Sequence, residues 1–445
     1  MRYEQMKLKI ADHRAVGRKF VKCLILLFFI VLSSCGYNKY THIEGVIKRV
    51  HVCFTKQMFK YVDASECISD IEYVVLETSP QCLIGENPII SISENYIFVY
   101  GEPSCLLFSR QGKFIRSIGS KGQGPREYHS ASMIKIDEES GMIFMANTYD
   151  LLAYHITGEF VKKLNLSELR KQAGISAFWK ITHWKNDLFC SNFNLSSGKE
   201  PYRFVIFSLD GDIIKLFPNY VTFYSEIFIS SFNSNADIYL NNGQLRFREQ
   251  LSDTLFRLTD SLNFIPEVIF DLCGHKLPTE KRGLNQWHST YSIILNMIEV
   301  EQYILLECKL GNQTPVDFPS IQQCLYDPKN NTLTACKRDP HAQKYSFGRL
   351  NPDLLEQMKP SEKLLPGLIN NIDGGLPIWP HKNAHIQNDQ QFVTIYQPYE
   401  FIQNLTEEYF AVHEIKNMRA HQRLKDMILN LNEEDNPVIV IAKLK

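Results

Sequence analysis

Three short segments of the chain share one form: Arg110-Gln-Gly112-Lys-Phe114-Ile, Ile156-Thr-Gly158-Glu-Phe160-Val and Leu209-Asp-Gly211-Asp-Ile213-Ile. Each is a strand-like run, a polar–Gly pair, and a second run that opens with a charge and an apolar residue. Glycine there supplies the positive φ that a tight hairpin requires. The three glycines lie 46 and 53 residues apart, close to the roughly 40–50 residues of a four-stranded propeller blade. Asp260-Ser-Leu-Asn-Phe264 keeps the same frame without the glycine. Hairpins of this kind occur in sandwiches too, but three copies in one register favour a ring of blades.

The remaining pattern agrees. Short runs rich in β-branched and aromatic residues cover 71–78, 96–100, 105–108, 114–118, 142–145, 151–154, 204–207, 213–216, 237–240, 254–256, 303–306, 324–326 and 392–396, with Gly, Asn, Asp and Ser between them. Helical spacing is confined to 350–372 and 404–431. In the second stretch Met418, Leu424, Met427, Ile428 and Leu431 form one face, expected to pack on the body. Residues 437–444 read as a final strand, expected to join the blade around 391–396 and close the ring, which removes the open seam. The fold class is therefore all-β, a β-propeller with a C-terminal helical segment and a closing C-terminal strand.

The formal net charge of −1 hides two unlike regions. Residues 1–22 hold seven Lys/Arg against two acids, a local +5, which leaves 41 basic and 47 acidic residues, −6, for the rest. An uncharged apolar run at 23–32 follows, half the length needed to span a bilayer. Next comes Leu32-Ser33-Ser34-Cys35-Gly36, which resembles the bacterial lipobox. The resemblance implies a signal peptide over 1–34, or from Met6 if translation starts there. It also implies a diacylglycerol thioether on Cys35, and acyl chains that hold the protein to a membrane with about 0.8 kcal/mol per buried CH₂. An acidic body disfavours nucleic acid, which needs a basic surplus.

One loop departs from the hairpin grammar: Gly119-Ser-Lys121-Gly122-Gln-Gly124-Pro125-Arg126-Glu-Tyr128. It lacks the following helix and the GK[ST] ending of a phosphate cradle. Preceded by Ile118, it is similar to the inter-blade signature of NHL-type β-propellers. The wider chain resembles the six-bladed β-propeller lipoproteins of Bacteroidota. The lipobox, the entry strand Ile71-Glu-Tyr-Val-Val-Leu-Glu-Thr78 with Leu83-Ile-Gly85, Ser252-Asp-Thr-Leu-Phe256, and the ending 432–445 carry that likeness. It implies six blades over 71–445 after an entry linker at 35–70, and an outer-membrane anchor. The periplasmic side is favoured, because Gly-Tyr-Asn-Lys-Tyr after Cys35 lacks an acidic export cluster. It implies no particular reaction.

Catalytic constellations fare poorly. Of eleven cysteines, the nine beyond Cys23 and Cys35 are scattered without a CxxC pair and read as mostly buried free thiols. His381-x-x-x-His385 has zinc-ligand spacing, but Pro380 precedes it and no HExxH glutamate is present, so solvated loop histidines are expected and no metal. Asn371-Ile-Asp373-Gly374 and Asp210-Gly211-Asp212 read as turns, lacking the ligand alternation of a calcium loop. The acidic triples 137–139 and 433–435 read as solvated surface, and no GxSxG elbow occurs.

With 28 Phe, 21 Tyr and 4 Trp, some aromatics (Trp179, Trp184, Trp287, Trp379, Tyr396, Tyr399) are candidate stacking platforms, although wedge filling accounts for most. The expected ligand contacts are Lys121, Arg126, Tyr128 and Trp379. The expected role is a non-catalytic binding or scaffolding module without cofactor, for a glycan, a peptide or an outer-membrane partner. The alternative is a metal-dependent propeller enzyme of the hydrolase, lactonase or lyase type.

Overall fold

Strands separated by hairpins of a few residues pair with their sequence neighbours, so the chain folds as successive antiparallel meanders. The computed structural model describes residues 47–445 apart from 86, 176, 194, 196–197, 224–234, 283–289, 301, 312–317, 345–357 and 387–389. It enters with β1 (Lys48–His51), β2 (Phe59–Lys60) and β3 (Ile68–Val75). Blade one is β4 (Ile89–Ile92), β5 (Tyr96–Gly101), β6 (Ser104–Ser109) and β7 (Phe114–Ser117). Blade two is β8 (Met133–Asp137), β9 (Met142–Ala146), β10 (Asp150–His155) and β11 (Phe160–Asn165), followed by helix α1 (Leu166–Ala173).

Blade three is β12 (Phe178–Lys185), β13 (Leu188–Phe193), β14 (Tyr202–Ser208) and β15 (Ile213–Pro218). Blade four is β16 (Ala236–Asn241), β17 (Gln244–Glu249), β18 (Thr254–Leu258) and β19 (Phe264–Asp271). Blade five is β20 (Ile293–Val300), β21 (Tyr303–Lys309), β22 (Ile321–Asp327) and β23 (Thr332–Cys336). Then come β24 (Ala384–Ile386), β25 (Gln391–Tyr396), helices α2 (Pro398–Asn404), α3 (Glu407–Val412) and α4 (Met418–Leu429), and β26 (Val438–Leu444). The sheets form a six-bladed β-propeller.

The second and third strands of blades one and two are largely apolar on both faces because both faces meet a neighbouring blade. Aromatics fill the wedges: Phe204 of blade three contacts Phe247 and Phe264 of blade four at centroid distances of 4.8 and 5.1 Å. Fourth strands such as β7 are largely exposed.

The sixth blade is made from both chain ends. β26 lies between β25 and β3, with Ile441 opposite Val393 on one side and Glu72 on the other. Its residues Val438, Ile439, Val440, Ile441 and Ala442 are at most 2% exposed. The strand expected at 437–444 thus closes the ring in the expected blade.

Three expectations change, whereas the cysteines are mostly buried free thiols as expected. Residues 47–70 are not a linker: β1 adds in parallel to β19 and β2 to β23, so this strap covers two outer sheet edges that would otherwise carry unpaired backbone groups. Cys53 and Cys273 meet as a disulfide between the strap and the end of blade four, Cα–Cα 5.6 Å, while Cys67, Cys82, Cys105, Cys190, Cys308, Cys324 and Cys336 are buried free thiols.

Of the helix expected over 350–372, part lies outside the described residues. The rest holds only a 3-10 turn at Pro360–Lys363 before a buried, largely irregular run, because Pro366-Gly367 stops a helix and Gly367 sits at φ +136°. On α4, Leu424 is buried as expected, but Met418 is 64% exposed. Among the described residues no helix is long and apolar enough to cross a membrane.

The repeated glycines occupy one turn position, between the third and fourth strands of blades one to three, with φ of +84° (Gly112), +90° (Gly158) and +95° (Gly211). In blade four Leu262 takes the same place at φ +57° and donates its N–H to Thr259 O as the glycines do to theirs. Gly112 carries a second constraint: a Cβ there would stand 2.2 Å from the carbonyl oxygen of Val75, whereas at Gly211 it would meet only the Leu164 side chain at 3.1 Å. Gly211→Ala is therefore expected to cost roughly 1 kcal/mol and Gly112→Ala clearly more, measured by urea unfolding; equal losses would contradict the close approach. Deleting residues 436–445 removes five buried core residues worth roughly 8 kcal/mol. That matches the whole stability of a typical domain, so the truncated chain should show no cooperative melting transition by circular dichroism.

Candidate functional site

The residues expected to meet a ligand are not gathered in one place. The loop 119–128 joins β7 to β8, and Lys121 pairs with Glu102 on the β5–β6 turn. Arg126 is exposed and lies 5.9 Å from the ring centre of Phe160. Tyr128 is 2% exposed: its hydroxyl donates to Pro103 O and accepts from Cys105 N, both at 3.1 Å. Trp379 is 6% exposed inside the core between blades five and six. Both rings are withdrawn from solvent because they fill gaps between elements, which corrects their expected role as ligand platforms. Trp184 and Tyr396 are buried as well, and Trp179 donates to Asn235 Oδ1 at 2.9 Å. Cys35 and Trp287 lie outside the described residues.

A different set of polar groups converges at the hub. Each innermost strand carries one polar residue just before an Ile or Met: Ser91 on β4, Lys135 on β8, Lys180 on β12, Asp237 on β16, Asn296 on β20 and His385 on β24. Alternation along a strand sends the two neighbours to opposite faces. Ile92, Ile136, Ile181, Ile238 and Met297 pack towards the preceding blade. Their polar neighbours therefore face the following one.

The contacts confirm this placement. Ser91 Oγ accepts from Ile136 N at 3.1 Å, and Lys180 Nζ donates to Ala236 O at 3.5 Å. Asp237 pairs with the fully buried Arg248, whose Nη2 also donates to Ile294 O at 3.0 Å. Asn296 Nδ2 donates to Glu307 Oε2 at 2.6 Å, and His385 stands opposite Ser91 in the parallel β24–β4 pairing.

The hub is electrically lopsided. His385 lies on β24, which extends the sheet of blade one beside β4, and it feels the charges of Lys180 and Lys135. His385 has an exposed surface yet is surrounded by protein. That enclosure, reinforced by Lys180, Lys135 and His381, lowers its pKa to about 3. Enclosure also lowers Lys180, against the opposing pull of Asp237, and brings His381 to about 4. His385 lies exposed on the short strand β24, and His381 is half-buried in the segment just before it. Among the described residues no group of three or more His, Cys, Asp or Glu is arranged to hold a metal ion.

A second polar concentration is sealed in the wedge between blades five and six. Asp373 Oδ1 accepts from Tyr73 Oη (3.2 Å), Asn370 Nδ2 (2.7 Å) and Gly375 N (3.0 Å), so the segment read as a turn is one at 371–373, and it is buried as a polar knot. Nearby, Asp339 Oδ2 takes both Tyr409 Oη (3.0 Å) and His413 Nε2 (2.8 Å). These groups tie the entry strand, the irregular run and the helices together. Their burial leaves no ligand room.

The family model described as Domain of unknown function (DUF4934) matches residues 50–443, and the chain belongs to that family. Among solved structures, a protein of Bacteroides fragilis designated as exported is 16% identical, with 90% of this chain and 99% of that chain covered and a TM-score of 0.58. That likeness shows a shared fold. A virginiamycin B lyase from Staphylococcus aureus is more distant, with 13% identity, 61% and 76% coverage and a TM-score of 0.36. So is PorZ, a surface component of the type-IX secretion system of Porphyromonas gingivalis, with 10% identity, 59% and 29% coverage and a TM-score of 0.33. No curated protein matches the chain.

The Asp339–His413 pair makes stability depend on pH. Burial alone would lower His413, but hydrogen bonds to Asp339 and to the Tyr409 carbonyl raise it above its usual 6.5. A raised histidine contributes fully below its unfolded pKa, and that contribution is lost as pH rises through the folded value. Asp339, lowered by His413 and the His341 N–H despite burial, stays ionised across this range. The stability gap between wild type and His413→Gln in urea should be widest near pH 6 and shrink towards pH 9. A gap constant with pH would contradict the assignment.

Proposed function

We propose that this member of the family is a lipid-anchored binding or scaffolding ring of the bacterial cell envelope. In this reading Cys35 carries the acyl anchor, the outer membrane holds it on its periplasmic side, and the strap from residue 47 leads into the ring. The likeness of the loop at 118–128 to the inter-blade signature of NHL-type propellers supports counting the ring among them. The partner is a glycan, a peptide or a component of an outer-membrane complex, and the chain binds without turning it over.

The observation that supports binding is the hub. Six inner strands each carry a polar side chain just before an Ile or Met, and one of them, His385, is exposed. Buried polar groups cost stability unless paired, so a ring of them marks a place where polar contacts are made.

Two measurements test the two halves of the reading. Cells fed labelled palmitate should incorporate it into the wild-type chain and not into Cys35→Ser; label in the variant would refute the anchor. A thermal-shift panel of neutral and acidic oligosaccharides and short peptides should contain members that raise the melting temperature of the wild type by several degrees, less so for a hub variant such as Asn296→Leu. A panel that shifts nothing, together with steady hydrolysis of any member, would replace the binder by an enzyme.

A further inference from the structure

We propose that a cleft on the outer wall of blade five binds an amphipathic organic anion, whose apolar body fills the cleft and whose carboxylate meets Lys337 and Lys363 in its lining. The site lies away from the hub and stands or falls without it.

The strap builds this cleft. β2 adds to the outer edge of β23, and Lys337 N donates to Lys60 O at 2.7 Å, which carries the pairing one step past both strands. Tyr61 and Lys337 therefore leave the sheet together, and Lys337 Nζ lies 5.4 Å from the Tyr61 ring centre. The turn Pro360–Lys363 is fastened to the same stretch: Arg338 Nη1 donates to Ser361 O at 3.1 Å and to Leu364 O at 3.0 Å. The cleft has a volume of about 530 Å³, and Tyr61, Phe318, Pro340 and Leu364 line it together with the two lysines. Such a size and such an apolar wall with a few polar groups suit a small molecule. Phe318 is held against Phe59 of the core at a centroid distance of 4.0 Å, and Tyr61 is 53% exposed, open to a ligand.

Charge sets the sign of that ligand. Both lysines are half-buried, and among the described residues neither ammonium meets a carboxylate; Lys337 has only the Tyr61 ring. The acids nearby are engaged. Glu362 accepts from Ser320 N, Ser320 Oγ and Lys359 N, and Asp339 from Tyr409 and His413. Glu307, which with Glu362 bears on Arg338, accepts from Asn296 and Gln323. An ammonium beside apolar walls gains most from a charge-assisted hydrogen bond, which a carboxylate supplies and a neutral amide does not.

Gln322 adds a polar handle to the lining. It is fully buried, and its Nε2 donates to Gln323 O (3.0 Å) and Cys336 O (2.5 Å), which fixes the amide. Its Oε1 has no partner among the described residues, so it is the acceptor that a hydroxyl or amide N–H on the ligand's body would satisfy.

The full chain in lipid nanodiscs, with empty nanodiscs as the blank, is titrated calorimetrically with 3-phenylpropionate, cyclohexanecarboxylate and octanoate, with the primary amide of each, and with acetate. At least one bulky carboxylate is expected to bind saturably, about tenfold or more tighter than its amide, while acetate does not saturate. Lys337→Met and Lys363→Met should each weaken it about fivefold or more, and Lys363→Arg should stay within about threefold of wild type. Should a methionine variant fail to fold, the ring resonances of Tyr61, assigned with Tyr61→Phe, must still move when the carboxylate is added to wild type. Equal binding of acid and amide, binding that both methionine variants retain, or no binding at all overturns the site and leaves the hub reading untouched.

Discussion

A propeller is stable only when closed, because each blade buries one face against each neighbour and an open ring would leave two sheet faces wet. Here the chain's last strand meets that constraint. β26 is hydrogen-bonded on one edge to β25 and on the other to β3, so residues more than 350 positions apart in sequence are adjacent in one sheet. The strap continues the same logic on the outside: β1 and β2 occupy outer edges of blades four and five before the chain turns into β3. The disulfide between Cys53 and Cys273 joins the first part of that strap to the blade it covers.

Closure also explains the unusual wedge between blades five and six. The described residues 364–379 form a buried, largely irregular run with a turn at 371–373, packed with α2, α3 and α4 in one core. Such a run carries backbone and side-chain polar groups into the core, and they need partners. The Asp373 knot and the Asp339–His413–Tyr409 group supply them. Tyr73 of β3 reaches Asp373, so the same strand that completes the sheet also anchors the wedge.

Polar groups at the hub obey a different rule. An inner strand must be apolar towards the preceding blade, while its other face looks across a seam close to the axis. Residues of that second face bond to the next blade's backbone, as Ser91 does with Ile136, or stay exposed, as His385 does. The family resemblance and the repeated glycines locate the blades, but neither singles out Lys135 or Lys180. A signal was nevertheless present: one polar residue before Ile or Met in each first strand. It becomes readable only after the blade boundaries are known. Tyr128 and Trp379 fail as ligand contacts for the converse reason, since a large aromatic looks the same in sequence whether it stacks on a sugar or fills a gap.

By itself the amino-acid order determined much that depends on local geometry: short strands, the glycine turns at 112, 158 and 211, the final strand and the acidic balance of residues 23–445 once the basic stretch 1–22 is counted apart. These follow from alternation and backbone freedom within a few residues. Only the tertiary structure decided that residues 47–70 belong to the ring's outer wall, that Cys53 finds Cys273, and that His385 pairs beside Ser91. Each of these meetings joins positions some 200 or more residues apart. Ring curvature sets the distance between them, and no local pattern encodes it.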